Sequence, residues 1–297
     1  MIGVVSYLPN DIKLRHQRLV ASQFQFEWLH KLFSDEKINV VAQNYMENER
    51  DKNYVNYICF DSGIGAGKAR NVILEMFYKS NEDWLLLCDD DTIIDDKYNY
   101  QYFIKDIFSH PEKFETIDAV SAIEPEYHPY KKLNYEDKAN LTHYKFEPRE
   151  LNSGSATSII RNIKKYYGKE LYYPDIDANK GEGREDIEFL LLWLKNNLTW
   201  YNMNTMIRKS LCFDKSSIFG SDTKSRDIIL MHDLDVICRR YAKDGITRGV
   251  NGQITWKKFN ERFNKTQKLL YIKRNKNIEF EENVIPKEKK SNIPNLF

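Results

Sequence analysis

The feature that most constrains the fold is an apolar run that ends in three consecutive aspartates, within DWLLLCDDDTIIDD at residues 83–96. Trp84–Cys88 has the length and composition of a buried strand. Asp89, Asp90 and Asp91 follow it directly, so three like charges meet at the end of that strand. A divalent cation that prefers oxygen ligands, such as Mg²⁺, Mn²⁺ or Ca²⁺, would relieve their repulsion. A solvated acidic turn is the alternative at this point.

Strand-like and helix-like segments alternate through the first hundred residues. The predicted strands are Ile2–Leu8, Ile38–Ala42, Tyr54–Phe60 and Trp84–Cys88, and the predicted helices are Leu14–Phe33 and Ala69–Tyr78. This alternation indicates an α/β protein whose parallel sheet is covered by helices on both faces. Ligands of such sheets bind at the carboxyl ends of the strands. We therefore expect Ser6, Tyr7 and Asp61 to border one crevice with the aspartates.

The pattern is less regular after residue 100. Strands are predicted at Asp118–Ile123, Ser155–Ile160 and Ile228–Met231, and a strongly apolar helix is predicted at Asp186–Lys195. Small polar residues precede the second of these strands, and they could line a sugar or acceptor pocket; they are Asn152, Ser153 and Gly154.

A glycine-rich loop, GIGAGKARN at Gly63–Asn71, precedes the second predicted helix. It does not fit a Walker A loop, because its framing glycines enclose three residues instead of four and Ala69 stands where Ser or Thr would bind Mg²⁺. It also misses the dinucleotide fingerprint, since its third glycine comes one position early. Lys68 and Arg70 nevertheless place positive charge at a helix start, where a phosphate could bind. A structural turn with exposed cations is the alternative.

A second acidic group opens the helix in GEGREDIEF, Gly181–Phe189. Glu185, Asp186 and Glu188 would fall in the first helical turn, where the helix dipole favours negative charge, so capping alone explains them. A carboxylate fixed on a buried helix could also accept a proton from an acceptor hydroxyl. The two roles are compatible.

His232 follows the predicted strand Ile228–Met231 in IILMHDLD. An isolated histidine is more often structural than functional. At a strand end in a protein with an acidic metal site, however, it is a candidate for a further metal ligand, with Asp233 and Asp235 as secondary candidates.

The composition is that of a globular protein. The 297 residues include 30% charged and 13% aromatic residues, and the four cysteines form no CxxC pair. Such cysteines suggest reduced thiols and neither a zinc site nor a disulfide framework. The N-terminus lacks the basic region of a signal peptide, and no apolar run approaches the roughly 18 residues of a membrane span. We therefore expect a cytoplasmic protein without a membrane partner.

Positive charge is concentrated near the C-terminus. Residues 257–290 contain eleven Lys or Arg and five Glu, a net charge of +6, whereas the whole chain carries +1. Such a stretch can contact a polyanion, although a solvated helix face is the commoner explanation.

Taken in order, these motifs resemble those of GT-A nucleotide-sugar glycosyltransferases. The resemblance covers about residues 1–235 and implies a Rossmann-like, mixed and mainly parallel sheet flanked by helices. It divides the chain into a catalytic domain at 1–235, with a nucleotide-binding half at 1–100 and an acceptor half at 101–235, and a basic C-terminal extension at 236–297.

The resemblance also implies roles for individual residues. Asp91, Asp89 and His232 would bind Mn²⁺ or Mg²⁺. The residues facing the UDP-sugar would be Ser6, Tyr7, Asp61, Lys68, Arg70, Asp89 and Asp90. Asp186 would be the catalytic base of an inverting enzyme, and Glu185 would orient the acceptor. The Trp-Gly pair that often precedes this acidic motif in the family is absent here.

Within that family, the soluble chain rich in Lys, Asn and Tyr is similar to phage enzymes that add glucose to modified cytosine in duplex DNA. This similarity implies UDP-glucose as the donor and hydroxymethyl- or glucosyl-hydroxymethylcytosine as the acceptor. Basic residues would then contact DNA phosphates, namely Arg239, Arg240, Lys243, Arg248, Lys257 and Lys258. Two alternatives remain open: an enzyme of surface polysaccharide synthesis, and a non-catalytic module that binds nucleotide or nucleic acid.

Overall fold

The computed structural model describes residues 1–94, 100–123, 146–148, 157–174, 185–210, 223–248 and 254–255. The strands within these ranges are β1 (Ile2–Tyr7), β2 (Ile38–Gln43), β3 (Val55–Phe60), β4 (Trp84–Asp89), β5 (Thr92–Ile94), β6 (Ala119–Ile123), β7 (Phe146–Pro148), β8 (Thr157–Arg161), β9 (Trp200–Ser210), β10 (Thr247–Arg248) and β11 (Ile254–Thr255). The α-helices are α1 (Ile12–Leu32), α2 (Ala66–Lys79), α3 (Tyr100–Ser109), α4 (Ile163–Tyr167), α5 (Glu185–Lys195) and α6 (Thr223–Arg240).

Nine of the described strands form one mixed sheet, in the order β3-β2-β1-β4-β8-β6-β9-β5, with β7 also paired to β9. The strands of the first half, β3, β2, β1 and β4, run parallel to one another. β8 is antiparallel to both β4 and β6, and β9 is parallel to β6. The predicted α/β class, with a mixed sheet flanked by helices, is therefore confirmed.

Helices cover both faces of the sheet because its central strands are apolar on both sides. Leu85 and Leu87 of β4 pack into one core, whereas Leu86 and Cys88 pack into the other, as the two-residue period of a strand requires. The first core is closed by α2 and α5, and the second by α1 and α3. Polar residues at the end of β4 can consequently be reached from either helical layer.

Two glycines fix how α2 joins the sheet. Gly65 caps the N-terminus of α2 with φ = 91°, a conformation that residues with a Cβ atom rarely adopt. Gly3 of β1 lies beneath the helix, and a Cβ atom there would stand 2.3 Å from Cγ2 of Ile73. The close approach of α2 to β1 thus depends on a glycine in the strand.

The predicted strand Ile228–Met231 is wrong, because these residues lie inside α6. Four consecutive apolar residues do not distinguish a short buried strand from part of a helix, and here the helix continues on both sides. The predicted domain boundary between residues 235 and 236 also falls inside α6. The predicted pocket residues Asn152, Ser153 and Gly154 lie outside the described residues.

Among the helices of the described ranges, none combines the length and the apolar character that crossing a membrane requires.

Candidate active site at the carboxyl end of the sheet

The aspartate triplet lies beside the end of β1. β1 and β4 are parallel neighbours, with Val5 opposite Asp89, and the backbone N–H of Asp90 donates to the carbonyl of Val5 at 3.1 Å. Ser6 and Asp89–Asp91 therefore meet at the same edge of the sheet, as the sequence predicts.

Asp90 is the buried member of the triplet. Its side chain is fully buried, accepts a hydrogen bond from the Ser6 hydroxyl and forms an ion pair with the Arg18 guanidinium of α1. Burial raises the pKa of Asp90 to about 6; Arg18 opposes this shift, and the neighbouring charge of Asp91 adds to it. Asp90 is thus enclosed by protein groups.

The hydroxyl groups of Ser6, Tyr45 and Ser22 form a hydrogen-bonded chain that ends at Asp90. The Tyr45 and Ser6 hydroxyls are 2.5 Å apart, and the Ser22 hydroxyl of α1 lies 3.2 Å from that of Tyr45. Ser6 donates its proton to Asp90, and Tyr45 donates its proton to Ser22. Burial, followed by the charge of Asp90, raises the pKa of Tyr45, so this donor stays protonated.

Helix α1 also fixes the turn that carries the triplet. Nη1 of Arg18 donates to Asp91 at 2.9 Å. Nε2 of Gln25 donates to the backbone carbonyls of Asp89 and Thr92, each at 2.6 Å. Arg18 and Gln25 were not among the residues that sequence reasoning selected. A signal was present, because polar residues recur at the helical spacing 18, 22 and 25 beside the apolar Phe26.

Asp89 points to the opposite helical layer. Arg70 of α2 donates through Nη2 to Asp89 at 2.9 Å and through Nη1 to Glu185 of α5 at 2.6 Å. Burial opposes the charge of Arg70, yet Asp89 and then Glu185 outweigh it and raise the pKa of Arg70. Arg70 is therefore held between two carboxylates, whereas the sequence-based prediction has it facing the diphosphate.

The ion pairs of Arg70 with Asp89 and Glu185 form what we call the Arg70 bridge, and aromatic residues pack against it. The Arg70 guanidinium lies 5.3 Å from the ring centre of Tyr173. That ring stacks on Phe189 of α5, with centroids 4.0 Å apart and an interplanar angle of 13°. Asn71 and the backbone of Tyr173 exchange two hydrogen bonds, of 2.6 and 2.8 Å. These contacts join α2, the segment around Tyr173 and α5 into one packed unit.

Two of the three aspartates are accessible enough to bind a cation. The side chains of Asp89 and Asp91 are 26% and 17% exposed, whereas that of Asp90 is 0% exposed. Two carboxylates suit Mg²⁺ or Mn²⁺, since Mg²⁺ is commonly bound by one or two carboxylates together with substrate phosphates. The described residues contain no group of three or more His, Cys, Asp or Glu side chains placed to hold a metal ion.

The other residues predicted to bind the donor, and the predicted base Asp186, differ in exposure. Asp61, after β3, and Lys68, in the first turn of α2, are exposed. Tyr7 is half-buried, and its ring lies 3.1 Å from the position of a Cβ atom added to Gly63. Asp186 is half-buried in the first turn of α5, next to the buried Glu185. Ser6 supports Asp90 and is buried.

His232 lies in the interior of helix α6, so its predicted position at a strand end is wrong. Its Nδ1 is 3.4 Å from Oδ1 of Asp233. It lines a cavity of about 530 Å³ together with Asp235, Cys238 and Arg239. The described residues do not bring His232 into a metal-binding group with Asp89 and Asp91.

The residues predicted to contact DNA fall into four groups. Arg239 and Lys243 are exposed at the end of α6 and just after it. Nη1 of Arg240 instead lies 2.9 and 3.0 Å from the two carboxylate oxygens of the buried Glu188. Arg248 lies on β10. Lys257 and Lys258 lie outside the described residues.

No protein-family model and no curated protein sequence matches the chain. Solved structures of similar overall shape include TarS residues 1–349 of S. aureus in complex with UDP-GlcNAc, at 15% identity and a TM-score of 0.44, covering 82% of this chain and 69% of that one. Another is a nucleotide-diphospho-sugar transferase, so described provisionally, from Desulfovibrio desulfuricans G20, at 9% identity and a TM-score of 0.40, covering 68% of this chain and 78% of that one. The galactosyltransferase LgtC, in complex with donor and acceptor sugar analogues, gives 12% identity and a TM-score of 0.32, covering 69% and 68%. These values are too low to assign the chain to a family.

Proposed function

We propose that this chain is a metal-dependent, inverting glycosyltransferase that moves a hexose from a UDP-sugar to a hydroxyl group. The observation that carries the proposal is the pairing of two acidic sites at one edge of the sheet. Asp89 and Asp91 are partly exposed at the end of β4, and Arg70 connects Asp89 to Glu185, beside Asp186 on α5. A donor site and a candidate base are thereby joined by one side chain.

The donor would bind at the carboxyl end of β4. Asp89 and Asp91 would hold Mn²⁺ or Mg²⁺, which neutralises charge on a departing diphosphate when bound. Lys68 is exposed at the start of α2, where its cation and the helix N-terminus favour phosphate. Tyr7 and Asp61 would border the nucleoside.

Asp186 would act as the base. The acceptor oxygen would attack the anomeric carbon while the proton of the acceptor hydroxyl passes to the Asp186 carboxylate. The bond from the anomeric carbon to the diphosphate oxygen breaks in the same step. UDP leaves with the bonding electrons, and the configuration at the anomeric carbon inverts. Half-burial of Asp186 at the first turn of α5 supports this role, because the helix fixes the backbone that carries the carboxylate.

For the acceptor, we propose hydroxymethyl- or glucosyl-hydroxymethylcytosine in duplex DNA, with UDP-glucose as the donor. Support comes from the net charge of +6 over residues 257–290. The exposed Arg239 and Lys243 would add two further cations for phosphate contact. Arg240 pairs with Glu188 and is the weakest member of the predicted phosphate contacts.

The decisive test is mass spectrometry of nucleosides from duplex DNA incubated with the protein, Mn²⁺ and UDP-glucose. Unmodified, hydroxymethylated and glucosyl-hydroxymethylated DNA are compared, and Asp91→Ala and Glu188→Gln serve as matched variants. We expect a hexose gain on modified DNA that Asp91→Ala abolishes and Glu188→Gln retains.

Other results of this test separate the parts of the proposal. Release of UDP without a gain on any DNA would retain the transferase and move the search to polysaccharide acceptors. Absence of UDP release with every UDP-sugar and divalent cation tried would overturn the transferase and favour a nucleotide-binding module.

A further inference from the structure

The Arg70 bridge joins two parts of the molecule that are far apart in sequence. Its partner Asp89 is 19 residues away on β4, and its partner Glu185 is 115 residues away on α5. The Arg70 side chain is 9% exposed and that of Glu185 is 8% exposed, so water screens their contact little. A change of charge at Asp89 therefore changes the strength of the ion pair between Arg70 and Glu185.

The geometry divides one positive charge between two carboxylates. Nη2 serves Asp89 at 2.9 Å and Nη1 serves Glu185 at 2.6 Å. Neutralising one carboxylate leaves the whole charge of Arg70 to the other, because the planar guanidinium cannot be deprotonated. A cation on Asp89 would compete with Arg70 for that carboxylate and strengthen the bond from Arg70 to Glu185.

We propose that Arg70 is a positioning residue that transmits the occupancy of the donor's metal site to helix α5. Binding of a cation at Asp89 shifts Arg70 toward Glu185 and tightens the first turn of α5, which carries Asp186. The candidate base is then firmly held once the donor site is filled. This inference rests on the proposed function, and it assigns Arg70 to coupling instead of to contact with the diphosphate.

A double-mutant cycle tests this coupling without measuring turnover. The dissociation constant of Mn²⁺ is measured from the electron paramagnetic resonance signal of free Mn²⁺, for the wild type, Glu185→Gln, Arg70→Met and the double variant. Glu188→Gln is the matched control, because it removes a carboxylate from the same helix that pairs with Arg240 and Tyr241 instead of Arg70.

We expect Glu185→Gln to raise the Mn²⁺ dissociation constant about fivefold, because Arg70 then holds Asp89 alone. The same substitution should have less than about a twofold effect in the Arg70→Met background. Arg70→Met by itself should tighten Mn²⁺ binding, and Glu188→Gln should leave it unchanged. If Arg70→Met does not fold, Arg70→Lys replaces it, since a lysine cannot serve both carboxylates with the same planar geometry.

Hydrogen exchange of the α5 amides provides the second measurement. Mn²⁺ should slow exchange in residues 185–195 of the wild type and have no effect there in the Arg70 variant. The coupling would be overturned if Glu185→Gln changed the Mn²⁺ dissociation constant equally in both backgrounds, or if Mn²⁺ did not change the exchange of the α5 amides. Either result would leave the proposed transferase intact. A wild type that binds Mn²⁺ but releases no UDP from any donor would overturn the transferase alone, and a wild type that does not bind Mn²⁺ would overturn both.

Discussion

At the scale of single residues, three adjacent aspartates have three different environments. Asp89 pairs with Arg70, Asp91 pairs with Arg18, and the fully buried Asp90 is enclosed by Ser6 and Arg18. The sequence predicts the cluster but cannot distinguish its members, because burial and the arginine partners are set by helices elsewhere in the chain. Only the structure separates the supporting aspartate from the two accessible ones.

Asp90 should make stability depend on pH. Its folded-state pKa of about 6 lies above the ordinary 3.8, so its contribution to stability is complete below about pH 4 and is lost as pH rises through about 6. The free energy of unfolding is measured with urea in the presence of EDTA. As the pH rises from 4 to 7, we expect its value for Asp90→Asn to increase by on the order of 2–3 kcal/mol relative to its value for the wild type. Parallel pH profiles for the two proteins would show that Asp90 does not titrate in this range.

Asp186 should separate catalysis from donor binding. If it is the base, Asp186→Asn should lower the turnover number by at least about 100-fold, because the acceptor proton loses its receiver. The affinity for UDP with Mn²⁺, measured by calorimetry, should stay within about twofold because Asp186 has no proposed contact with the donor. Unchanged turnover in this variant would exclude Asp186 as the base.

At the scale of elements, the regular part of the chain from β1 to β4 was predictable, whereas in the described part that follows it β6, β8 and α5 were predicted and β9 and α6 were not. β1 to β4, α1 and α2 follow clear strand and helix periodicities, so each appears within a few residues of its predicted position. β9 is eleven residues long and polar at many positions, WYNMNTMIRKS, so it contains no apolar run from which a strand could be predicted. The site was predictable where it lies at strand ends, whereas Arg18 and Gln25 reach it from the body of α1 and were missed.

The contact between α2 and β1 should be intolerant of even one methyl group. Gly3→Ala would place a Cβ atom 2.3 Å from Ile73, so we expect a loss of about 1–3 kcal/mol in the free energy of unfolding. Gly168→Ala is the comparison, because nothing lies within 4 Å there and its φ of 64° alone should cost roughly 1 kcal/mol. Equal and small losses in both variants would mean that α2 moves away from β1 at little cost.

At the scale of the whole molecule, charge is distributed unevenly. The acidic triplet occupies the end of the sheet, whereas the C-terminal part is basic. If duplex DNA is bound, its affinity should fall steeply with salt, because each neutralised phosphate releases counterions.

Replacing Arg239 and Lys243 together by Gln should reduce the slope of log affinity against log salt by about 1.8, or 0.9 for each lost phosphate contact. Lys79→Gln, which removes an exposed cation of α2 paired with Glu75, is the control and should leave the slope unchanged. Fluorescence anisotropy of labelled duplex DNA at several salt concentrations measures both. A slope that the double variant does not change would remove these two residues from the interface.

The pairing of the aspartates with distant arginines has a consequence for folding kinetics. Arg18 is 72 residues from Asp90 and 73 from Asp91, whereas Arg70 is 19 residues from Asp89. In the unfolded chain, the three aspartates are therefore neighbours while their counter-charges are remote. The charges of Asp90 and Asp91 are neutralised only when Arg18 reaches them, and contacts between residues so far apart in the sequence form slowly. The acidic cluster is therefore uncompensated in the unfolded chain, and folding supplies its counter-charges.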